Sequence, residues 1–218
     1  MRWSPLFALG ALLGMSATTA SAVESGEVAR RVQERFDATT DLTASVNQEL
    51  VVASAGKTLK ANGTVAFKRP GKMRWNLTDG STTQIIVADG TTLWFYQPEE
   101  KQVLKAPFQA AFRSSTPISF LTGVGRLSED FDVRLDGEAE GVIHLALTAR
   151  KGEGELGRLR LTVDAHTYDI VGAEIVDPLG NITRLRFADL RRNTGLDDAQ
   201  FRFEVPSGVD VIEAPIGN

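Results

Sequence analysis

VAFKRPGKMRWNL, residues 65–77, has the pattern of two β-strands joined by a Pro-Gly turn. The odd-numbered positions are apolar on both sides of the turn, which places Val65, Phe67 and Trp75 on one face of the predicted hairpin. One odd position breaks the pattern, because Arg69 is the last residue before the proline. The segment therefore predicts an apolar strand face with a guanidinium group at its end.

The remaining sequence keeps the same period of two. Apolar and polar residues alternate in short runs, and turn residues such as Asp89-Gly90 separate the runs. The predicted strands occupy residues 42–46, 50–53, 85–88, 92–96, 102–104, 131–135, 142–149, 157–163, 170–176, 182–187 and 201–205. Many short strands with close turns are typical of an antiparallel meander, either a barrel or a strongly curved sheet. We find no repeat or linker, so one domain is expected.

Two parts of the chain predict helices instead. Residues 25–39 have apolar side chains at helical spacing on one face. Residues 106–130 are rich in small and aromatic side chains and predict two short helices, the second starting at Ser115 or Thr116 and ending at Gly123. The apolar helix residues singled out by these patterns are Val28, Val32, Phe36, Phe112, Ile118, Phe120 and Leu121.

The start of the chain has the features of a cleaved signal peptide. Arg2, an apolar run over residues 6–15 and the small residues at 20–22 follow the pattern that signal peptidase reads, although a buried N-terminal helix is an alternative. We therefore expect a signal peptide over residues 1–22 and a single domain over residues 23–218 in the periplasm. The chain has no cysteine to carry a lipid, so a soluble, unanchored protein is expected.

Composition and spacing argue against most kinds of chemistry. The net charge of −4 does not favour a nucleic-acid partner, and the lack of cysteine excludes disulfides and thiolate sites. The two histidines, His144 and His166, lack the spacing of metal ligands. The segment GEGELG at 152–157 matches a dinucleotide-binding pattern, but a strand follows it where that motif needs a helix. We expect a hairpin turn there, no metal, no cofactor and no enzyme activity.

One strand has more apolar surface than a half-buried strand needs. Residues 93–96, LWFY, are apolar on both faces, whereas an antiparallel sheet usually has one polar face. Two interpretations are open. Either the strand is covered by core on one side and by a helix on the other, or the sheet curves around a cavity that receives an apolar ligand.

Several segments together resemble one known family. They are LTASVNQ at 42–48, KRPGKMRW at 68–75, VADGTTLWFYQPEEKQV at 87–103, TPISFL at 116–121, GNIT at 180–183 and FRFEVPSGVDVI at 201–212. In this order they resemble the LolA family of periplasmic outer-membrane lipoprotein carrier proteins, over nearly the whole of residues 23–218. The family often has phenylalanine at position 73, where this chain has Met73, a mild apolar exchange.

The resemblance implies a mainly β (α+β) fold, an unclosed antiparallel β-barrel or half-barrel with short helices that form a lid over an apolar cavity. It implies a monomer that takes lipoproteins from the inner-membrane ABC transporter LolCDE and delivers them to the outer-membrane receptor LolB. The candidate cavity residues are Val65, Phe67, Met73, Trp75, Trp94, Phe95 and Tyr96, and the apolar helix residues above are the candidate lid. For each of them, packing in an ordinary core is an alternative, and the sequence does not say which side of residues 93–96 faces inward.

The resemblance also assigns Arg69 to a latch that holds the lid closed. A guanidinium at a cavity rim needs acceptors, and helix C-terminal carbonyls or loop carbonyls near residues 116–123 could supply them. Alternatively, Arg69 ends its strand and faces water. Two other functions stay open on the same fold: a carrier of another lipid, such as a glycolipid, and a sensor or regulatory domain that binds a protein partner.

Overall fold

The computed structural model describes residues 17–111, 126–150 and 158–213. Within these ranges the helices are α1 (Ala17–Asp37), α2 (Phe108–Ala111) and α3 (Leu127–Asp130), with 3-10 turns at Ala53–Ala55 and Asp198–Phe201. The strands are β1 (Asp41–Val52), β2 (Lys57–Lys68), β3 (Lys72–Thr78), β4 (Thr83–Asp89), β5 (Thr92–Gln97), β6 (Gln102–Pro107), β7 (Phe131–Ala139), β8 (Val142–Ala149), β9 (Arg158–Asp164), β10 (Ile170–Val176), β11 (Ile182–Arg192) and β12 (Asp210–Glu213).

All twelve strands belong to one sheet, in the order β12-β6-β5-β4-β3-β2-β1-β11-β10-β9-β8-β7. Neighbouring strands are antiparallel except β12, which pairs with β6 in parallel. Strand β1 lies near the middle and hydrogen-bonds to both β2 and β11. In the described residues the end strands β7 and β12 do not pair with each other, so the sheet is unclosed. The predicted mainly β fold with an unclosed, antiparallel sheet is confirmed, with one parallel pair as an exception.

The inner face of the sheet carries the main core. In β3 the alternate residues Met73, Trp75 and Leu77 are buried, as the sequence pattern predicted. Helix α1 covers part of this face and buries Val28 and Val32, among others. The predicted helix over residues 25–39 is thus confirmed, with α1 described from Ala17 onward. Cleavage after residue 22 remains a prediction.

Two predicted segments fall wholly or partly outside the described residues. Of the two helices expected over residues 106–130, α2 is described, whereas Phe112, Ile118, Phe120 and Leu121 lie outside the description. The predicted turn at 152–157 also lies outside it. The strands that precede and follow that turn, β8 and β9, pair in antiparallel register.

The predicted strand at 201–205 is wrong. Phe201 ends a 3-10 turn and the residues after it pair with no described strand, while the last strand of the chain, β12, begins at Asp210. Residues 194–209, here called the C-terminal strap, run across the outer face of β3, β4 and β5 before β12 joins β6. The alternation of Phe201 and Phe203 reflects burial of extended chain against that outer face, not pairing in a ladder.

Strands β2 and β3 approach each other closely at Gly63. A Cβ atom at this position would lie 1.8 Å from the carbonyl oxygen of Asn76, a distance that no side chain can occupy without displacing backbone. Gly63 pairs with Val46 on one side and Leu77 on the other, so the contact lies within the buried part of the sheet. Glycine is therefore required where the backbones of β2 and β3 approach each other closely.

We predict that Gly63→Ala lowers the free energy of unfolding by about 1–3 kcal/mol or more, because the new methyl group collides with the backbone of β3. The matched control is Gly26→Ala in α1, where a Cβ meets no atom within 4 Å and φ is not positive. That control should be neutral or stabilising by roughly 0.5–1 kcal/mol. Urea denaturation followed by circular dichroism measures both, and equal stabilities for Gly63→Ala and wild type would contradict the close approach.

Candidate functional site

A cavity of about 60 Å³ lies between the C-terminal half of α1 and the inner face of the sheet. Its apolar lining comes from α1 and from strands β1, β2, β10 and β11: Val32, Phe36, Leu42, Ala44, Val65, Phe67, Ile170, Phe187 and Leu190. Polar and charged residues complete the wall: Arg35, Thr39, Thr40, Asp41, Lys68, Arg69, Tyr168, Asp169 and Arg192. The cavity therefore has a hydrophobic floor and a charged rim.

The hairpin of residues 65–77 contributes directly to this cavity. Val65 and Phe67 line it, and the helix residues Val32 and Phe36 line it from above. Met73 and Trp75 are buried in the same inner face of the sheet.

Trp75 packs against two of the aromatic rings that line the cavity. Its ring is edge-on to Phe67 at 6.0 Å and to Phe187 at 6.2 Å between centroids. The Nε1 atom of Trp75 is buried and has no hydrogen-bond partner. Among the buried side-chain nitrogen and oxygen atoms of the described residues, it is the one in this situation. The environment of Trp75 should therefore respond to anything that moves the two phenyl rings.

The question of which side of residues 93–96 faces inward is answered by the strand register. Phe95 pairs with Ile86, which pairs with Trp75, so Phe95 lies on the inner face. Trp94 and Tyr96 lie on the outer face, where both rings pack against Phe203 of the C-terminal strap at 6.0 and 5.6 Å. The structure thus places Trp94 and Tyr96 on the side of the sheet away from the other five candidate cavity residues.

This arrangement explains why the strand is apolar on both faces. The inner face contributes to the core beside α1, and the outer face is covered by the C-terminal strap. Val87 and Val103, neighbours of β5 residues on that outer face, are fully buried, as is Phe201 of the strap. The cover on the outer face is extended chain and not the helix that the first interpretation named.

Arg69 contacts the last turn of α1. Its Nη atoms donate to Oδ1 of Asp37 at 3.3 and 3.4 Å, and its guanidinium carbon lies 4.3 Å from the centroid of the Phe36 ring. Its backbone N–H donates to the carbonyl of Thr40 at 2.9 Å. A cation above an aromatic face at this distance is favourable. Among the described residues, the side-chain acceptor is therefore a carboxylate at the C-terminus of α1, while residues 116–123 lie outside the description. The side chain of Arg69 is about one-third exposed.

Two further arginines reach the cavity and share one acid. Arg35 of α1 donates to Oδ1 of Asp169 at 3.1 Å, and Arg192 donates to the same oxygen. Arg192 and Asp169 are well buried, with side chains 18% and 11% exposed. Burial, followed by repulsion from Arg35, lowers the pKa of Arg192. One carboxylate thus faces two guanidinium groups.

Sequence reasoning missed Arg192 because a β-bulge changes the parity of β11. Leu185 and Phe187 are on the inner face at odd positions, and the register with β1 shifts between Ser45 and Thr43. Arg192 pairs with Leu42 and so lies on the inner face at an even position. The only sequence signal is an arginine at the end of a long apolar-alternating run, which resembles the pattern at Arg69.

A polar clamp fixes the junction between α1 and β1. The buried Asp41 accepts hydrogen bonds at Oδ1 from the backbone and hydroxyl of Thr194 and at Oδ2 from the backbone of Gly195 and the hydroxyl of Thr40. Asn193 adds a bond from its amide to the carbonyl of Ala38. Burial alone would raise the pKa of Asp41, but these hydrogen bonds together hold the pKa below its ordinary value.

Other kinds of site find no support in the described residues. Among them, no three His, Cys, Asp or Glu side chains are grouped as a metal would require. The described helices also include none with the length and apolarity of a membrane span.

Comparison with known proteins points to one family. The family model described as outer membrane lipoprotein carrier protein LolA matches residues 37–204. An outer-membrane lipoprotein carrier protein of Dechloromonas aromatica is 33% identical over 174 residues, which cover 80% of this chain and 82% of the relative. That of Chromobacterium violaceum is 30% identical over 208 residues, covering 95% and 98%.

A solved structure shares the fold at lower identity. An uncharacterized conserved protein from Thermus thermophilus matches with a TM-score of 0.54 and 16% identity, covering 88% of this chain and 99% of that one. At this identity the likeness concerns the fold alone.

We predict that Asp41→Asn destabilises the protein in a pH-dependent way. Because the pKa of Asp41 is lowered in the folded state, its ionised form adds stability above the unfolded value of about 4, and this is lost as the pH falls through the folded pKa. At pH 7 the variant should lose about 1–3 kcal/mol of unfolding free energy, and the difference from wild type should shrink below about pH 4. Denaturant titrations at several pH values measure this, with the exposed Asp210→Asn as control. A difference that is constant with pH would contradict the clamp.

Proposed function

The chain belongs to the LolA family of outer-membrane lipoprotein carrier proteins, and we propose that it is a periplasmic shuttle that shields the acyl chains of lipoproteins between two membranes. Members of this family are carriers and not enzymes. In this proposal the protein works as a monomer, receives lipoproteins from an inner-membrane transporter of the LolCDE type and delivers them to an outer-membrane receptor of the LolB type.

The observation that carries the proposal is the apolar cavity between α1 and an unclosed sheet. Each acyl methylene that is exposed to water costs about 0.8 kcal/mol, so two or three long chains cost on the order of tens of kcal/mol in free solution. A shuttle must therefore cover the chains with apolar protein surface. The lining of Phe36, Phe67 and Phe187 with aliphatic neighbours supplies such a surface.

The small volume of the cavity supports the proposal of a closed state. About 60 Å³ suits a few water-sized groups, which is far less than a long acyl chain needs. Cargo can enter this cavity only if its cover moves, and α1 is the described element that covers it. We therefore propose that the structure represents the closed carrier and that α1 is lifted when cargo enters.

The contacts that hold α1 at its C-terminal half suit a cover that opens. Arg69 binds Asp37 and Phe36, and Arg31 lies 5.1 Å above the ring of Tyr168 and donates to its hydroxyl. These side chains are at least partly exposed, and exposed ion pairs each contribute about 0–1 kcal/mol. Breaking these contacts costs little free energy compared with the free energy gained when acyl chains are buried. Cargo can therefore shift the population to an open state.

In this proposal Arg69 acts as a latch that favours re-closure after the cargo has been delivered. Opening breaks the contacts of Arg69, and re-closure restores them once the cargo has left. The restored contacts and the re-covered cavity offset part of the cost of giving up the acyl chains. The lid predictions for Phe112, Ile118, Phe120 and Leu121 are kept as part of the proposal.

The direct test of the carrier function is release of lipoproteins from spheroplasts or inner-membrane vesicles. Purified protein is added to spheroplasts of a Gram-negative bacterium depleted of its own carrier, and the soluble fraction is analysed by immunoblot and mass spectrometry. We expect soluble lipoproteins bound to this protein in about equimolar amounts. Absence of lipoprotein from the soluble fraction, with another lipid or no lipid bound, would contradict the proposal.

We predict that loss of the latch impairs delivery more than loading. Arg69→Leu removes both the ion pair and the cation–π contact, and Asp37→Asn removes only the ion pair. Both variants should take up lipoprotein from spheroplasts at least as well as wild type. Transfer to outer-membrane receptor should fall strongly for Arg69→Leu and less for Asp37→Asn, because the open state is no longer penalised.

The matched control for Asp37→Asn is Glu34→Gln, which lies one turn earlier in α1 and pairs with Arg30 of the same helix. It should load and transfer like wild type. Efficient delivery by Arg69→Leu would contradict the latch but leave the carrier function intact.

A further inference from the structure

The cavity wall holds more positive than negative charge. Four cationic side chains line it, Arg35, Lys68, Arg69 and Arg192, against two carboxylates, Asp41 and Asp169. An apolar cavity gains nothing from unpaired charge, because removing a charge from water is costly. Each of the four cations should therefore have a partner that the structure can identify.

Two of the four cations are engaged away from the cavity. Lys68 binds Asp198 and the carbonyl of Leu196 in the C-terminal strap, and Arg69 binds Asp37 at the end of α1. The other two cations, Arg35 and Arg192, pair with Asp169, a carboxylate that itself lines the cavity.

The carboxylates of the wall do not supply acceptors for all the N–H donors of the remaining two cations. The oxygens of Asp41 are taken by hydroxyl and backbone donors of Thr40, Thr194 and Gly195. Of the carboxylates in the described wall, Asp169 alone faces Arg35 and Arg192, and one of its oxygens accepts from both. The two guanidinium groups therefore have more N–H donors than the oxygens of Asp169 can accept.

The position of Arg192 places its N–H donors next to the apolar floor. Arg192 pairs with Leu42 and Leu42 pairs with Phe67, so the three side chains stand in one row on the inner face of the sheet. Leu42 and Phe67 both line the cavity. A ligand that satisfies this row must present an oxygen acceptor at one end and hydrocarbon next to it.

We propose that Arg35 and Arg192 form a binding site for the oxygens of an acyl group, whose hydrocarbon chain lies over Leu42 and Phe67 in the opened cavity. The shared chemistry is an acyl carbonyl oxygen, which belongs either to the ester-linked chains of a lipoprotein or to the carboxylate of a free fatty acid. Guanidinium groups suit such acceptors because they donate two parallel hydrogen bonds. The lipoprotein source rests on the function proposed above, and the fatty-acid source does not.

Trp75 gives a direct readout of this site, because its ring contacts Phe67 and Phe187 of the cavity lining. The Trp94→Phe protein without residues 1–22 retains Trp75 as its single tryptophan. Quenching of Trp75 fluorescence is then titrated with three probes of equal chain length: a dibrominated fatty acid, its methyl ester and a dibrominated alkane without oxygen. We expect the acid and the ester to bind at least about tenfold more tightly than the alkane, the value of one charge-assisted hydrogen bond.

Three substitutions in the Trp94→Phe background test the residues. Arg192→Met should reduce binding of the oxygen-bearing probes about tenfold without changing binding of the alkane, while Asp169 keeps Arg35 as a partner. Arg191→Met, one residue away on the exposed side of β11, is the matched control and should change neither. Asp169→Asn should tighten binding of the acid, because the ligand no longer competes with an internal carboxylate. Structural damage would have the opposite effect.

The outcomes separate the two sources and the two proposals. Stronger binding of the acid than of the ester identifies free carboxylates as the preferred ligand, and equal binding identifies ester-linked chains. Equal binding of all three probes, unchanged selectivity in Arg192→Met, or weaker acid binding in Asp169→Asn overturns the site. Release of lipoproteins by the wild-type protein is scored separately, so a protein that selects acyl oxygens but releases no lipoprotein refutes the carrier function alone. Thermal unfolding of every variant verifies that it is folded.

Discussion

An apolar sheet face that must stay dry without being permanently filled is the constraint on which this structure depends. The unclosed sheet carries the main core on its inner face, and in the described residues α1 covers part of that face. Buried Val28 and Val32 hold α1 through nonspecific apolar contact, whereas its C-terminal turn is held by directional contacts at Arg69 and Asp169. Apolar contacts can be exchanged for contacts with an acyl chain at little net cost. In the proposed cycle, the directional contacts then decide whether the helix is open or closed.

The other side of the sheet is built to stay fixed. The C-terminal strap closes the outer face over Trp94 and Tyr96 and is tied down by Asp198, which accepts from both Lys68 and Lys72. Hydrogen bonds to these two lysines lower the pKa of Asp198 to about 2, so the tie persists at any ordinary pH. Strands β3 to β5 are therefore packed on both faces, and α1 moves relative to these strands in the proposed cycle.

The sequence predicted the fold well where local pattern decides it. The hairpins around residues 69–71 and at Asp89-Gly90 follow from turn chemistry, and the inward side of β3 follows from its alternation. The pattern failed where long-range contacts decide. Residues 201–205 alternate because they pack against the outer face of the sheet, although they form no strand of it. The bulge in β11 changes which face the even-numbered residues occupy, and Arg192 therefore lies on the inner face. Alternation reports that one side of an extended chain is buried, but it does not report whether the chain lies in a sheet or on the face of one.

The three consecutive residues Arg35, Phe36 and Asp37 connect the proposed binding site to the proposed latch. Arg35 binds Asp169 in the cavity wall, while Phe36 and Asp37 both contact Arg69. A ligand oxygen that draws Arg35 from Asp169 must move the same turn of helix that Arg69 holds. Binding of an acyl oxygen and release of the latch are then coupled by one coupling free energy. By linkage, a closed latch lowers the affinity for cargo by the same factor by which bound cargo lowers the equilibrium constant for latch closure. A carrier that accepts cargo and later gives it up needs this reciprocity, and one turn of α1 is enough to provide it.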